Sequence, residues 1–211
     1  MYKELLKRII SSIVIIPISM FFIIKGSTLF TFFLSMLFLI TSYEWINLNK
    51  KKNLVKLIGI TALLLSFYSA YYFRQNLNIY SFIFIILMCI LTDIGGFSFG
   101  KIFGGPKLTK ISPNKTYVGM IGSFLLPLFI GLILIEHLYE NISSSAYQIF
   151  IYIIIISLIS QIGDLIISFF KRKAKIKDTG KILPGHGGLL DRLDGLIFVF
   201  LFLYLIKLIQ I

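Results

Sequence analysis

Charged residues are scarce in this chain. Only 14% of its 211 residues are Asp, Glu, Lys or Arg, whereas soluble domains carry about 25%. Hydrophobic residues make up 57% of the chain, and the mean hydropathy is +0.92. A soluble fold of this size could not cover so much apolar surface with so few charges. The composition therefore excludes a soluble globular protein and predicts an integral membrane protein.

Cysteine and acidic residues are also sparse. The single cysteine, Cys89, cannot form a disulfide within the chain, and no Cys/His spacing indicates zinc. The chain has nine acidic and 21 basic residues, which gives a net charge of +12. In a soluble protein this excess would indicate nucleic acid. In a membrane protein it is explained by basic cytoplasmic loops and by anionic substrates or lipid headgroups, so we expect no nucleic-acid partner.

Seven apolar runs approach the length of about 20 residues that a helix needs to cross a bilayer. The predicted spans are residues 9–24, 28–43, 54–73, 77–91, 117–135, 146–170 and 193–211. The first two are short and close together, so six or eight spans also fit. The predicted fold is all-α: one domain, residues 1–211, forming a polytopic membrane protein with about seven transmembrane helices.

The basic residues lie on alternate connections between these spans. Eighteen of the 21 fall in residues 1–8, 44–56, 100–116 and 171–192. Lys and Arg accumulate on cytoplasmic loops, so the pattern places the N-terminus and these loops in the cytoplasm. We expect a multi-pass protein of a bacterial inner membrane, surrounded by membrane lipids. Glu44 and Trp45, at the end of the second span, are predicted to lie at the interface.

One segment, Ser168 to Asp194, is polar, basic and punctuated by glycine. It contains seven basic residues, three acids and one histidine: Lys171, Arg172, Lys173, Lys175, Lys177, Lys181, Arg192, Asp178, Asp191, Asp194 and His186. A further acid, Asp164, precedes Lys171 by seven residues, which is about 10 Å of helix. This segment is the predicted active site, held at the membrane surface by the other helices.

Asp164 would be costly inside an apolar run unless it had a partner. Asp164 either forms a structural salt bridge with Lys171 or Arg172, or it serves as a metal ligand or as an acid of the substrate site. Asp191 and Asp194 are three residues apart and share a helix face. They either stabilise the helix dipole or contribute to a magnesium–nucleotide site, in which carboxylates hold the cation and basic side chains neutralise phosphates.

Glycines flank His186 in this segment, and a polar loop precedes the fifth span. Backbone N–H groups of residues 185–188 and of the following helix start could cradle phosphate. His186 itself is either structural or functional. The polar loop is predicted to run from Gly95 to Thr116, and its Ser112, Lys115 and Thr116 could bind phosphate, although this signal is weak alone.

The spacing of the segment resembles a family signature. Ser168-x-x-Lys171-Arg172, then Lys177-Asp178, then Pro184-x-His186-Gly187-Gly188-x-x-Asp191-Arg192-x-Asp194 resembles the pattern of phosphatidate cytidylyltransferases, the CDP-diacylglycerol synthases. Upstream, Gly163-Asp164-Leu165, Asp93 and Ser112-Pro113-x-Lys115-Thr116 are similar to that family too. The chain departs from the pattern at Ile167 and Val118, where many members carry Glu.

The resemblance implies a reaction in which CTP and phosphatidate give CDP-diacylglycerol and pyrophosphate with Mg²⁺. It implies Asp164 and Asp191 as metal ligands, in a site that could hold a second cation, and it implies a homodimer. The chain then divides into N-terminal helices, residues 1–92, and catalytic helices and loops, residues 93–211.

Further residues are predicted to belong to the site. Those expected to be catalytic are Asp164, Asp191, Lys171, Arg172, His186 and Asp194. Those expected to bind substrate are Asp93, Ser112, Lys115, Thr116, Ser168, Lys177, Asp178 and Arg192. The alternative is a transporter or flippase of an anionic solute or lipid, with Asp164 as a coupling acid. That class predicts paired repeats with broken helices, and the sequence shows no repeat.

Overall fold

Among the described residues, α-helices are joined by short connections, and there is no β-strand. The computed structural model describes residues 2–50, 52–109, 112, 115–138, 146–182, 185 and 187–209, without the side chains of residues 2–10, 12, 135–138 and 146. These residues form α1 (Tyr2–Lys25), α2 (Ser27–Leu48), α3 (Asn53–Asn76), α4 (Ile79–Phe103), α5 (Tyr117–Leu138), α6 (Ala146–Lys173) and α7 (Leu190–Ile209). The prediction of an all-α fold is confirmed.

By length and composition, five of the described helices, α2 to α6, can cross a membrane. The apolar part of α1, Ile13–Lys25, is shorter. Helix α7 carries charges near both ends and is not among the five. The protein is therefore a polytopic membrane protein, as the composition predicts.

The chain divides into two compact units. Unit 1 comprises Met1–Ile79 and Phe170–Ile211, and unit 2 comprises Tyr80–Phe169. Unit 1 thus combines the first three helices with the polar segment 171–189 and α7. The boundary predicted at residues 92 and 93 does not coincide with this division.

Within unit 1, buried hydroxyl groups connect α3 to α7. The Oγ atom of Ser66 donates to the carbonyl of Ile197 at 2.7 Å, and that of Ser69 donates to the carbonyl of Phe200. In an apolar environment such bonds help to hold helices together, because the hydroxyl has few other partners. The two bonds therefore hold α3 against α7 within unit 1.

Trp45 and Glu44 are buried within unit 1. Helix α2 continues past them to Leu48, and their position at the membrane interface stays a prediction. The Trp45 ring packs edge-on against Phe170, its Nε1 donates to the carbonyl of Val55 at 3.2 Å, and Gly59 leaves room for the indole. The aromatic residue therefore joins α2 to its neighbours in unit 1.

Arg74 joins the end of α3 to the end of α1. Its Nε donates to the carbonyl of Ile23 at 2.8 Å, and its Nη2 donates to that of Ile24 at 3.3 Å. These carbonyls belong to the last turn of α1, where helices leave acceptors unsatisfied and favour cations. The residue that follows α1, Gly26, has a φ of 61°, which lets the chain reverse into α2.

We expect Arg74→Ala to lower the free energy of unfolding by about 1.5–3 kcal/mol, because it removes charge-assisted hydrogen bonds to the end of α1. Thermal unfolding of the purified protein in detergent measures this loss. Lys56→Ala is the matched control, since the Lys56 Nζ contact is an exposed one to Asn53 in its own helix. Equal unfolding temperatures for the two variants would contradict the capping role.

In unit 2, α4 extends well beyond its prediction. The polar loop was expected to begin at Gly95, but the helix ends at Phe103 and the loop covers only residues 104–116. The glycines were misinterpreted as loop residues. A Cβ on Gly95 would meet the carbonyl oxygen of Gly122, and a Cβ on Gly119 would lie 2.7 Å from the carbonyl oxygen of Gly96. They are small residues that let α4 and α5 approach closely.

We expect Gly95→Ala to destabilise the protein by about 1–3 kcal/mol, because the added methyl group overpacks the α4–α5 contact. Gly100→Ala is the matched control on the same helix, where the nearest atom, Oγ1 of Thr116, is 3.1 Å from the new Cβ. There the improved helix propensity offsets the tighter contact. Thermal unfolding of both variants tests this, and equal losses would contradict it.

Candidate functional site

The polar segment of unit 1 is organised by Asp191, in the first turn of α7. Its Oδ1 accepts from Nζ of Lys171 at 2.7 Å. Its Oδ2 accepts from the backbone N–H of Thr179 at 2.8 Å, from the Thr179 hydroxyl at 3.1 Å and from the N–H of Gly188 at 3.1 Å. The side chains of Asp191 and Lys171 are only 6% and 12% exposed. This carboxylate therefore ties the end of α6, the loop and α7 together.

A second carboxylate, Glu44 of α2, lies in the same part of unit 1. Its Oε1 accepts from the N–H of Leu189 at 3.0 Å, and its Oε2 accepts from the N–H of Leu190 at 2.8 Å. Oε2 also accepts from the Thr179 hydroxyl at 2.9 Å. Neither Glu44 nor Thr179 was among the predicted site residues. One signal was available, because Glu44 is the sole acid between Glu4 and Asp93.

Three of the backbone N–H groups that were expected to hold phosphate have partners within the protein. The N–H groups of Gly188, Leu189 and Leu190 donate to Asp191 and Glu44 instead. A helix N-terminus attracts an anion, whether the anion is a bound ligand or a side chain of the protein. In this protein, side-chain carboxylates take that position.

The glycines of the segment are required by the same contacts. Gly187 has a φ of 86°, and a Cβ there would lie 3.2 Å from Oδ2 of Asp191. A Cβ on Gly188 would lie 2.6 Å from Oε2 of Glu44. The predicted close approach of backbone is thus present, but its partner is the pair of carboxylates rather than a ligand.

Four other predicted residues of unit 1 present exposed side chains. They are Arg172, Lys177, Asp178 and Arg192. Asp194 is instead buried, and its Oδ1 accepts from the N–H of Gly195 at 2.9 Å. His186 and Pro184 lie outside the described residues. Arg172 and Arg192 adjoin Lys171 and Asp191 in sequence, and Lys177 lies in the loop between them.

Positive charge is concentrated where α6 ends. A hydrogen bond with Lys173, which favours the neutral amine, lowers the pKa of Lys52, between α2 and α3, with smaller contributions from desolvation and charge repulsion. A nearby anion would favour the protonated form of both amines.

In unit 2, the predicted residues meet around Asp164 of α6. Oδ2 of Asp164 forms an ion pair with Nζ of Lys115, and its Oδ1 accepts from the Ser168 hydroxyl at 3.2 Å. The side chains of Lys115 and Asp164 are 28% and 27% exposed. If Asp164 formed a structural salt bridge, its predicted partner was Lys171 or Arg172. The structure pairs Asp164 with Lys115 and pairs Lys171 with Asp191.

The loop that carries Lys115 is held by its own backbone. Lys115 donates its N–H to the carbonyl of Ser112 at 3.0 Å, and Leu108 donates to the carbonyl of Lys115 at 2.8 Å. Oγ1 of Thr116 accepts from the N–H of Gly119 at 3.0 Å, which caps the start of α5. Thr116 therefore has a structural role, while its hydroxyl proton can still be donated. Asp93 lies on α4 with an exposed side chain.

The carboxylates fit a magnesium ion to different degrees. An ionised carboxylate offers about four lone-pair positions. Oδ2 of Asp191 is surrounded by donors, and the Lys171 ammonium at Oδ1 would repel a cation unless it moved away. Asp164 has two partners and keeps free acceptor capacity. Among the described residues, no group of three or more His, Cys, Asp or Glu could form a complete metal cage.

Comparison with known proteins identifies the family. A family model described as "Cytidylyltransferase family" matches residues 54–209. The phosphatidate cytidylyltransferase of Rickettsia typhi is 36% identical over 197 residues, which cover 90% of this chain and 86% of the relative. That of Rickettsia conorii is 33% identical over 207 residues, covering 95% and 90%. That of Staphylococcus saprophyticus is 39% identical over 129 residues, covering 61% and 49%.

The resemblance deduced from the polar segment is therefore confirmed. The match covers most of the chain and includes the loop of unit 2, Asp164, the polar segment and α7. The chain belongs to the cytidylyltransferase family.

Proposed function

We propose that this membrane protein is a phosphatidate cytidylyltransferase, which converts CTP and phosphatidate to CDP-diacylglycerol and pyrophosphate in phospholipid biosynthesis. The family match over residues 54–209 carries the proposal. Relatives with this name align with nine-tenths or more of the chain. The ordered Lys171–Asp191 pair within the family motif also supports it.

The reaction is an in-line displacement at the α-phosphorus of CTP. A phosphate oxygen of phosphatidate forms a new P–O bond, and the bond between the α-phosphorus and its bridging oxygen to the β-phosphate breaks, releasing pyrophosphate. The attacking oxygen is already anionic near neutral pH, so no strong general base is needed. Catalysis then consists mainly of positioning and charge stabilisation.

The cations of unit 1 suit the stabilisation of pyrophosphate or the binding of the lipid phosphate. Arg172, Lys177 and Arg192 are exposed around the polar segment. Lys171 differs from them, because it is nearly buried and already paired with Asp191. We assign it to orienting Asp191 and to supplying charge close to the bound phosphates.

In unit 2, Ser112, Lys115 and Thr116 suit contact with a phosphate group. Lys115 is held in place by Asp164 and by the turn that begins at Ser112. The Thr116 hydroxyl caps α5 through its oxygen, and its proton can still be donated. These three residues would orient one of the two substrates.

Magnesium fits this donor set as a cofactor. Mg²⁺ is commonly held by one or two carboxylates together with substrate phosphates, and not by a cage made only of protein groups. Asp164 and Asp191, which belong to different units, are each a candidate carboxylate ligand, Asp191 once Lys171 no longer pairs with it. When bound, the ion would neutralise phosphate charge and polarise the reacting phosphoryl group. A second cation is compatible with two separately held carboxylates.

The location and assembly of the protein complete the proposal. We place it in a bacterial inner membrane with its N-terminus and polar loops in the cytoplasm, because 18 of its 21 basic residues lie on one set of connections. The acyl chains of phosphatidate would remain in the bilayer. The family resemblance favours a homodimer.

Radiolabelled CTP and phosphatidate, incubated with the protein purified in detergent, test the proposal. CDP-diacylglycerol and pyrophosphate should form in equal amounts, and chelation of Mg²⁺ should stop the reaction. Heat-denatured protein serves as the control. Counterflow of an anionic solute in liposomes without any nucleotide product would support the transporter alternative and overturn the proposal.

A further inference from the structure

Glu44 is a buried carboxylate to which neither the motif nor the mechanism assigns a role. It is 1% exposed, on a helix of the N-terminal part of the chain. Burial of a charged carboxylate is costly unless donors replace the water it loses. Three donors do so here: two backbone N–H groups and one hydroxyl. Such a complete set indicates a specific site for this side chain.

The position of Glu44 compensates for a missing helix cap. Leu189 precedes the first residue of α7, and the N–H groups of Arg192 and Leu193 donate to its carbonyl, so Leu189 occupies the N-cap position. A leucine side chain cannot accept the N–H groups that a helix leaves unpaired there. Glu44 accepts those of Leu189 and Leu190 and places a negative charge at the positive end of α7.

Thr179 connects Glu44 to Asp191. The Thr179 hydroxyl lies 2.9 Å from Oε2 of Glu44 and 3.1 Å from Oδ2 of Asp191. A hydroxyl has a single proton, so the two carboxylates compete for the same donor. A change in the charge or position of Glu44 therefore changes the hydrogen bonding of Asp191.

The surroundings of Glu44 allow little readjustment. A Cβ on Gly180 would lie 2.9 Å from Cδ of Glu44, and one on Gly188 would lie 2.6 Å from its Oε2. The backbone is thus packed directly onto the carboxylate from two sides. Loss of Glu44 leaves the N–H groups at the start of α7 without their acceptor.

We propose that Glu44 is a positioning residue, which sets the orientation of Asp191 and of the first turn of α7 through Thr179, Leu189 and Leu190. The role in catalysis rests on the proposed cytidylyltransferase function. Glu44 touches no substrate, and its effect is transmitted through the polar segment. The N-terminal helices accordingly contribute to the active site and not only to membrane anchoring.

Glu44→Gln is the central variant, because it keeps the size of the side chain and replaces one acceptor by a donor. The amide N–H₂ then faces the N–H of Leu189 or that of Leu190. We expect kcat for CDP-diacylglycerol formation to fall about 10–100-fold, with the KM values for CTP and phosphatidate changed less than about twofold. Thr179→Val should have a similar effect, and the double variant should lose little more than either single one.

Ser66→Ala is the control for a purely structural effect. It removes a buried hydrogen bond of the same unit, to the carbonyl of Ile197 in α7. We expect it to lower thermal stability but to leave kcat unchanged. If Glu44→Gln and Thr179→Val both retained wild-type kcat, or if their losses were fully additive, the positioning role would be overturned.

Limited trypsin digestion provides a readout that is independent of activity. The polar segment offers exposed cleavage sites at Lys175, Lys177 and Lys181. Glu44→Gln should accelerate cleavage there at least about fivefold relative to Ser66→Ala, because the segment loses its acceptor. If the wild-type protein forms no CDP-diacylglycerol, the proposed function fails, and the trypsin result then decides by itself whether Glu44 positions the segment.

Discussion

Asp164→Asn is expected to reduce CDP-diacylglycerol formation by at least about 100-fold while leaving thermal stability nearly unchanged. The carboxylate is the predicted ligand with free acceptor capacity, so its loss removes charge where the cation and phosphates are expected. Its ion pair with Lys115 is partly exposed and contributes about 1 kcal/mol or less. Removal of a charge from an apolar helix offsets that loss.

Two comparisons make the Asp164 test specific. Ser168→Ala removes only the hydroxyl that donates to Asp164, so we expect less than about a tenfold loss of activity. Lys115→Met removes the cation partner and should raise a substrate KM more than it lowers kcat. Near-normal turnover in Asp164→Asn would refute the assignment of Asp164 to the metal. An equal loss in Ser168→Ala would show that orientation alone matters.

Asp191→Asn is expected to abolish activity and, unlike Asp164→Asn, to destabilise the protein by about 3–5 kcal/mol. The amide oxygen can replace Oδ2 and accept from Thr179 and Gly188. The amide N–H₂ group then faces Nζ of Lys171, which is nearly buried and loses its counter-charge. Thermal unfolding in detergent and product formation measure the two effects separately.

A double-mutant cycle with Lys171→Met distinguishes the structural from the chemical role of Asp191. The double variant should regain part of the stability, because no unpaired ammonium remains, and should stay inactive. Asp178→Asn is the matched surface control for stability, since Asp178 is an exposed acid in the same segment. Recovery of activity together with stability in the double variant would show that Asp191 acts only through the fold.

The fold and the site were predictable from the sequence to different degrees. Helices α2 to α6 follow from local composition, since apolar runs of this length have few alternatives in a bilayer. The predicted end of α4 was wrong, because glycines such as Gly95 and Gly96 are typical of loops when only their sequence neighbours are considered. Only contact with Gly119 and Gly122 shows that they serve helix packing.

The chemical identity of the site came from spacing. The spacing of the motif residues from Ser168 to Asp194 indicates the family without any knowledge of contacts, and the family match confirms that prediction. The partners in the two ion pairs could not be predicted from spacing. Lys115 meets Asp164 and Lys171 meets Asp191 across 49 and 20 residues of sequence, and several lysines in each region had similar local surroundings.

The sequence by itself determined that this protein is a helical membrane protein, which loops carry its charge, and to which family it belongs. These properties depend on composition, on local runs and on the order of residues along one segment. The tertiary structure decided which carboxylate meets which donor. Glu44 shows the reason, because an acid in an apolar helix has no defined partner until folding brings the N–H groups of Leu189 and Leu190 to it.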